Sequence, residues 1–304
     1  MPRDSHTFTF SPQGPFDLPH QNQYFNGWPL IDSGQALVMA FPVEGWHGSA
    51  AVTLRQDQSG ELEGAVYGSP DVWEEAQRQA LAAMSLDEDG SDWPSVGARD
   101  AFVAELQPKY HYMRPTLFHS PYEAASAFII GHRIRIQQGR NLRAGIAHEL
   151  GETVEVAGEQ FFAFPSPKKL LTLEAYRGLN ETKISRLHAV AQAALDGWLD
   201  RAYLRSLDYD VALTNLETLP GIGPFFSQGI LYRGAGKKDG FTHDDMTYQA
   251  MRRAYGLSED ASEEALLAIA ERWRPLPYVG ECAVARLGRR SRQSFSGRIS
   301  PRPR

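Results

Sequence analysis

The stretch Leu216-Glu217-Thr218-Leu219-Pro220-Gly221-Ile222-Gly223-Pro224-Phe225 decides the fold, because it joins two predicted helices through a Pro-Gly-Ile-Gly turn. Neither glycine carries a side chain, so the backbone of the turn can approach another molecule closely. The second helix begins at the turn, where its first N–H groups lack intrahelical acceptors and its dipole is positive. Such a turn favours phosphate binding through Leu219, Gly221, Ile222 and Gly223. An ordinary pair of antiparallel helices explains these residues equally well when they are taken alone.

The sequence before the hairpin predicts a small α+β domain at residues 1–97. Three β-prone runs are separated by turn residues and followed by a helical pattern; they occupy residues 36–43, 49–54 and 62–67, and the helix residues 70–84. The acidic stretch 86–97, which contains Gly, Ser and Pro, is predicted to be a solvated linker at the end of this domain.

Residues 98–287 have an apolar periodicity that is almost entirely helical, which predicts a second domain made of helices. Ser120-Pro121-Tyr122-Glu123 is typical of a helix start, with an N-cap serine, a proline at the first helical position and a capping-box glutamate. Residues 288–304 are rich in arginine and lack apolar periodicity, so we expect a disordered tail.

Composition limits the function classes. No apolar run approaches the ~18 residues of a membrane span, the first residues show no secretory signal, and the single Cys282 is compatible with a reducing cytoplasm. One cysteine also excludes a four-cysteine cluster or zinc finger, and His148-Glu149-Leu150-Gly151-Glu152 lacks the second histidine of a zinc-protease helix. The net charge of −6 is unfavourable for DNA binding, whereas the closely spaced arginines at 133, 135, 140 and 143 favour it.

Several motifs together resemble one family. They are the hairpin, the Asp244-Asp245 pair before a helical stretch, Glu271-Arg272-Trp273-Arg274-Pro275, the segment 114–124 (RPTLFHSPYEA) and Pro15-Phe16-Asp17-Leu18. In this order and spacing, over most of residues 10–285, they resemble the 3-methyladenine DNA glycosylase II family of the helix-hairpin-helix superfamily. The resemblance implies a TATA-binding-protein-like α+β N-terminal domain followed by an all-α helix-hairpin-helix glycosylase bundle.

The resemblance implies a monofunctional DNA glycosylase that hydrolyses the N-glycosidic bond of an alkylated, 3-methyladenine-like base in base excision repair. Its partner would be double-stranded DNA with the damaged base flipped out, and the enzyme would be a cytoplasmic monomer without a cofactor. Asp245 matches the catalytic carboxylate, and Asp244 matches a cap or a supporting group. Helix capping alone explains both aspartates without any catalytic role. The resemblance also implies a monovalent cation at the hairpin carbonyls.

Aromatic residues are expected to form the pocket for the flipped base. Phe225 stands where glycosylases with strand-nicking activity carry a lysine, so the chain cannot form their Schiff base. Phe225, Tyr24 and Trp273 match pocket positions, although core packing explains each of them equally well. Gly229 stands where a relative has an aromatic residue, which predicts a wider pocket.

The segment that fills the gap left by the flipped base departs from the family. Gly131-His132-Arg133 replaces the usual Gly-Gln-Gln or Gly-Gln-Leu, so Arg133, with His132 beside it, is the wedge candidate. An arginine here can stack and pair with the orphaned base or contact phosphate. Two alternatives to the main hypothesis therefore stay open: a non-catalytic DNA-damage-binding protein, and a monofunctional glycosylase for oxidised or deaminated bases.

Overall fold

The computed structural model describes residues 5–25, 29–112, 114–237 and 245–274, with only the backbone for residues 23–25, 245 and 246. Contacts group the chain into two units, Met1–Asp89 with Thr116–Lys237 and Gly90–Pro115 with Lys238–Arg304, which we refer to as the large unit and the small unit. The combination of helices with an antiparallel sheet confirms the predicted α+β class. The domain limits at residues 97 and 287 stay predictions.

An antiparallel sheet of five strands in the order β1-β5-β4-β3-β2 forms one side of the large unit. Its strands are β1 (Ser5–Phe10), β2 (Leu30–Ile31), β3 (Ala36–Pro42), β4 (Ser49–Gln56) and β5 (Leu62–Tyr67). The predicted β-prone runs therefore coincide with β3, β4 and β5. Strand β1 was not predicted from the sequence. It pairs with β5, from Ser5 opposite Tyr67 to Phe10 opposite Leu62.

The central strands are buried on both faces. On one face, Leu37, Met39 and Phe41 of β3 pack with the apolar side of helix α2 (Trp73–Ala83). On the other face, Val38 joins a smaller apolar cluster with Val156. Burial on both faces explains why β3 reads as a continuous apolar run and not as a strict alternation.

The remaining helices of the large unit surround a second apolar core. They are α5 (Pro121–Gly131), α6 (Ile136–Leu150), α7 (Pro167–Leu170), α8 (Glu181–Leu195), α9 (Arg201–Ser206), α10 (Tyr209–Glu217) and α11 (Pro224–Ile230), which continues into a π-helical segment, Leu231–Ala235. Helix α1 (Leu18–Phe25) instead contributes Leu18 to the core between the main sheet and α2. Helix α5 contributes many of the core contacts, because its mean hydropathy is high and it is buried on several sides.

The start of α5 follows the predicted signal in part. The Ser120 hydroxyl accepts a hydrogen bond from the backbone N–H of Glu123 at 3.1 Å, which caps the helix. The Glu123 carboxylate does not complete a capping box. It lies in the core between His119 (Nδ1 at 3.2 Å) and Arg143 (Nη2 at 3.2 Å). Burial opposes ionisation, but the attraction of these two groups outweighs it and lowers the pKa of Glu123.

A buried ion pair joins the end of β3 to α9. Glu44 accepts a hydrogen bond from the backbone N–H of Arg201 at 3.1 Å, and its second oxygen lies 3.6 Å from Nε of that arginine. Both side chains are less than 10% exposed. Burial outweighs the attraction of Arg201 and raises the pKa of Glu44 from 4.5 to about 7.

A two-stranded sheet interrupts the region that was expected to be all helical. Strand β6 (Thr153–Val156) pairs with β7 (Glu159–Phe162) across a turn in which Ala157 and Gly158 have φ values of 52° and 85°. Two positive φ angles are typical of the tight turn that matches strand twist. Val154, Val156 and Phe161 cover the second face of the main sheet, so their burial favours strands over a helix here.

The small unit contains helices α3 (Trp93–Arg99), α4 (Ala101–Tyr110), α12 (Asp245–Ala254) and α13 (Glu263–Ala270). The predicted linker is therefore partly helical, because Trp93 and Val96 bury their side chains. Asp100 caps α4 by accepting from two backbone N–H groups at 3.1 Å, and it also accepts from the Tyr255 hydroxyl at 2.9 Å. Across the described ranges, none of the helices has the length and apolar content that crossing a bilayer requires.

Candidate functional site

The predicted hairpin is present between α10 and α11. Gly221 has a φ of +85°, which a residue with a side chain adopts only with strain, and Gly223 is the N-cap of α11. Ile222 donates its N–H to the carbonyl of Leu219 at 3.0 Å, and its side chain is buried in the core of the large unit. The turn is therefore fixed by its own hydrogen bond and by an apolar anchor.

The two glycines of the turn have different surroundings. A Cβ added at Gly221 would lie 2.5 Å from Cδ of Arg186, so this arginine of α8 packs directly on the turn. A Cβ added at Gly223 would meet nothing within 4 Å. The open side of the turn is thus at Gly223, where α11 starts and its positive dipole end faces outward.

A cavity of about 560 Å³ unites the hairpin with the end of α5. Its lining residues are Ala127, Phe128, Gly131, His132, Arg133, Gly221, Gly223, Pro224, Phe225 and Phe226. Both turn glycines, the predicted pocket residue Phe225 and both wedge candidates therefore meet at one site. Phe225 is 58% exposed, so its ring is available to a ligand.

Aromatic rings form one wall of this cavity. Phe128 of α5 stacks on Phe226 of α11 with ring centres 5.1 Å apart, and His132 contacts Phe226 edge-on at 5.5 Å. The ring of Phe128 also fills the space above Gly229, where an added Cβ would be 2.5 Å from Cζ. An aromatic ring from α5 therefore occupies the space that Gly229 leaves open, and a wider pocket stays a prediction.

The loop after α5 is held in one conformation. Lys183 of α8 donates from Nζ to the carbonyls of Ile130 at 2.7 Å and His132 at 2.9 Å. Arg133 follows with a φ of 57°, in the left-handed region that is uncommon for residues other than glycine. Burial, and then the positive charges of Arg133, Lys183 and Arg186, lower the pKa of His132, so its ring is neutral at pH 7 in an electropositive setting.

A second cationic group lies behind the aromatic wall. The guanidinium of Arg143 lies 5.2 Å from the ring centre of Phe118, and that of Arg233 lies 5.3 Å from it. Phe118 contacts Phe128 edge-on at 6.1 Å, which continues the row of rings from the cavity into the core. The Glu123 carboxylate neutralises Arg143, whereas Arg233 is exposed and leaves one positive charge beside the ring of Phe118.

The remaining predicted site residues, Asp245, Tyr24 and Trp273, do not line this cavity in the part of the chain that the structure describes. The sequence places Asp245 just before a helix, and the structure has it as the first residue of α12 in the small unit. Its side chain lies outside the described residues, as does that of Tyr24, so the catalytic role of Asp245 stays a prediction. Trp273 is fully buried in the small unit, and its indole N–H donates to the Tyr255 hydroxyl at 3.2 Å. Its ring therefore packs within its own unit, and its contact with a base stays a prediction.

Sequence reasoning missed four residues of the cavity and its surroundings. Phe128 and Phe226 carried a usable signal, because one precedes Gly131 by a single helical turn and the other adjoins Phe225. Lys183 and Arg186 lie on α8, far from the loop and the turn in sequence, and no local pattern connects them with either. Within the described residues, no group of three or more His, Cys, Asp or Glu side chains could hold a metal ion.

No family model matches the chain. It is 28% identical over 158 residues to DNA-3-methyladenine glycosylase 2 of Escherichia coli (strain K12), a match that covers 51% of this chain and 53% of that relative. The chain thus spans about half the length of this curated relative. The fold is similar to that of a 3-methyladenine DNA glycosylase from Archaeoglobus fulgidus, with a TM-score of 0.76, 20% identity and coverage of 93% of this chain and 98% of that one.

The fold is also similar to that of the 8-oxoguanine glycosylase/lyase of Clostridium acetobutylicum solved with double-stranded DNA. That comparison has a TM-score of 0.67, 18% identity and coverage of 96% of this chain and 97% of that one. These comparisons confirm the resemblance inferred from the motifs: the chain is related in sequence to 3-methyladenine DNA glycosylases and shares the fold of helix-hairpin-helix DNA glycosylases.

Proposed function

We propose that this chain, a relative of the 3-methyladenine DNA glycosylases, is a monofunctional glycosylase that removes alkylated, 3-methyladenine-like bases from duplex DNA. One observation carries the proposal. The hairpin glycines, the exposed ring of Phe225 and the Gly131–Arg133 segment, which are far apart in sequence, line a single cavity. A helix-hairpin-helix turn that binds backbone, a ring that stacks on a base and a loop that faces the duplex are the parts that base excision requires.

The cavity suits a cationic, flat ligand. A purine alkylated on a ring nitrogen carries a positive charge, and an aromatic face attracts such a charge by about 0.5–2 kcal/mol. Phe225 offers its exposed ring, and the Phe128–Phe226 stack forms the wall beside it. We propose that Tyr24 adds a further ring from the N-terminal part of the chain and that Trp273 supports the pocket.

The chemistry needs a carboxylate near C1′ of the damaged nucleotide. As the C1′–N bond breaks, the base leaves with the bonding electron pair, which neutralises its charge, and the sugar develops positive charge. A water oxygen then bonds to C1′ and loses its proton. We propose that Asp245, at the start of α12, stabilises the cationic sugar and orients this water. Phe225 excludes the lysine route, so water is the nucleophile.

The hairpin would bind the phosphate backbone next to the lesion. The open side at Gly223 and the start of α11 favour an anion there, and the close contact of Arg186 with Gly221 adds a positive charge. The Leu219 carbonyl accepts one hydrogen bond from Ile222 and keeps a second lone pair, which fits a monovalent cation at the turn. The catalytic step does not depend on that cation.

Several finer features belong to the same proposal. In this proposal the β1–β5 sheet with α2 is the TATA-binding-protein-like N-terminal domain, and the helices of residues 98–287 form the glycosylase bundle. The partner is damaged double-stranded DNA, the enzyme acts as a monomer, and it works in the cytoplasm at the nucleoid.

The test compares base release from methylated duplex DNA by the wild type, Asp245→Asn and the adjacent control Asp244→Asn. We expect release by the wild type and by Asp244→Asn, and loss of release in Asp245→Asn with binding to an abasic-site duplex retained. Tight abasic-site binding without release by any form would favour the non-catalytic damage-binding protein. Release of oxidised or deaminated bases alone would favour the other alternative.

A further inference from the structure

Ile136 is the most exposed large hydrophobic residue among the described residues, with 77% of its surface accessible. Phe225, at the cavity, is second at 58%. Single exposed apolar residues are common on protein surfaces. Both, however, are connected with the same segment: Phe225 shares the cavity with Gly131–Arg133, and Ile136 follows this segment at the first position of α6.

The surface around Ile136 is cationic. Arg135, Arg177 and the carboxylate Glu149 line a groove of about 620 Å³ with other residues of α6. Arg133 and Arg140 are exposed nearby in sequence, so these four arginines outnumber the one carboxylate of the groove. None of these four arginines forms an ion pair within the part of the chain that the structure describes. The N-terminus of α6 adds its dipole, because Arg135 at the N-cap makes no side-chain capping bond.

Hydrogen bonds and close packing hold the backbone on both sides of Ile136. Lys183 holds the carbonyls of Ile130 and His132, and the N–H of Ile134 donates to the carbonyl of Gly131 at 3.3 Å. Gly139, one turn into α6, packs so closely that an added Cβ would lie 3.3 Å from Cα of Gly131. An apolar side chain on a fixed backbone loses little entropy when it binds.

We propose that Ile136 is the side chain that enters the base stack at the lesion, while Arg133 and the arginines of the groove bind the phosphates around it. Proteins that open a base step insert apolar wedges of this type, and the step offers apolar base faces to them. The exposed isoleucine suits the apolar interior of the base stack, and the arginines, which have no ion-pair partner among the described residues, suit the phosphates at its rim. The proposal assigns insertion to Ile136 and backbone contact to Arg133, and it depends on the proposed function only for binding of damaged duplex DNA.

The test uses a duplex with a tetrahydrofuran abasic-site analogue and 2-aminopurine as its neighbour, beside an intact duplex of the same sequence. The full-length wild type is compared with Ile136→Ala, Ile136→Leu and the control Leu30→Ala, since Leu30 is an exposed aliphatic residue of the edge strand β2. The readouts are Kd for both duplexes and the rise in 2-aminopurine fluorescence that unstacking causes.

We expect Ile136→Ala to lose roughly tenfold or more in affinity for the abasic duplex, because the buried isoleucine contact is lost. The fluorescence rise should disappear with it, while intact-duplex binding is unchanged, and Ile136→Leu and Leu30→Ala should behave as the wild type. Equal weakening for both duplexes, or an unchanged fluorescence rise, would overturn the proposal. The duplex carries no excisable base, so absent base release would refute the glycosylase function without affecting this result.

Discussion

Replacing Glu44 by glutamine isolates the energetic cost of the buried carboxylate at the end of β3. Its pKa is raised from 4.5 to about 7, so the folded protein keeps a proton that the unfolded chain loses between these values. Stability from this group is therefore fully present below pH 4.5 and is lost as pH rises to about 7. At about 1.36 kcal/mol per pKa unit, the whole loss is about 3 kcal/mol.

Most of this loss falls between pH 5 and pH 8, where the same linkage gives about 2.5 kcal/mol. Glu44→Gln cannot ionise, and at pH 5 it resembles the protonated wild type. We therefore expect the two proteins to have similar free energies of unfolding at pH 5, and the variant to be the more stable one at pH 8. Arg201 keeps its bonds to the backbone carbonyls of Phe118 and His119 in both proteins.

The measurement is urea unfolding at pH 5 and pH 8 for the wild type, Glu44→Gln and Glu74→Gln. Glu74 is an exposed residue of the first turn of α2 and controls for loss of one surface charge. The decisive quantity is the change in free energy of unfolding between the two pH values, compared across the three proteins. If Glu44→Gln loses as much stability as the wild type between pH 5 and pH 8, the reasoning from burial is wrong.

Two further predictions concern the hairpin and the loop beside it. Gly221→Ala should destabilise the protein by about 1–2 kcal/mol, because the residue has a positive φ and faces Arg186. Gly223→Ala should weaken DNA binding at a smaller cost in stability, which arises because alanine caps a helix less well than glycine. Urea unfolding and Kd measurements on both variants test this, and equal losses of stability in the two would contradict it. Arg133→Gly should reduce the slope of log K for DNA binding against log salt by about 1, because one phosphate contact is lost. Its free energy of unfolding should be unchanged or up to about 1 kcal/mol higher, because glycine adopts the positive φ of this position without strain. An unchanged slope would exclude the phosphate contact.

Elements defined by local pattern were predictable from the sequence. The β-prone runs became β3, β4 and β5, and Ser120 caps α5, because alternation and capping act over a few residues. The Pro-Gly-Ile-Gly turn predicted the hairpin for the same reason, since its backbone needs are local. Strand β1 was missed because its partner β5 lies more than fifty residues along the chain, and a six-residue strand is marginal without it.

The parts of the site that were missed depend on contacts between distant segments. The β6–β7 turn uses Ala157 at a positive φ, which is not a usual turn residue for this conformation, so the hairpin had only a weak signal. The ring of Phe128 packs against Gly229, but neither residue indicates this contact in the sequence. Phe128 is one of many apolar helix residues, and Gly229 shows only that an aromatic side chain is absent at its own position. Sequence can show that a ring is missing, but only packing shows which neighbour replaces it.

The net charge of −6 and the proposed binding to DNA are compatible because the two signs are distributed differently. Arg205 lies 2.6 Å from Asp87 and 3.9 Å from Glu88, so one of the two negative charges of this acidic stretch is balanced within the fold. The exposed arginines around α6 have no such partners among the described residues. At physiological salt, exposed charges more than about 8 Å apart are largely screened from one another. A phosphate bound at the hairpin or at the start of α6 therefore interacts mainly with the nearby arginines. The net charge of the protein affects only the long-range approach of DNA, which is the interaction that salt screens most strongly.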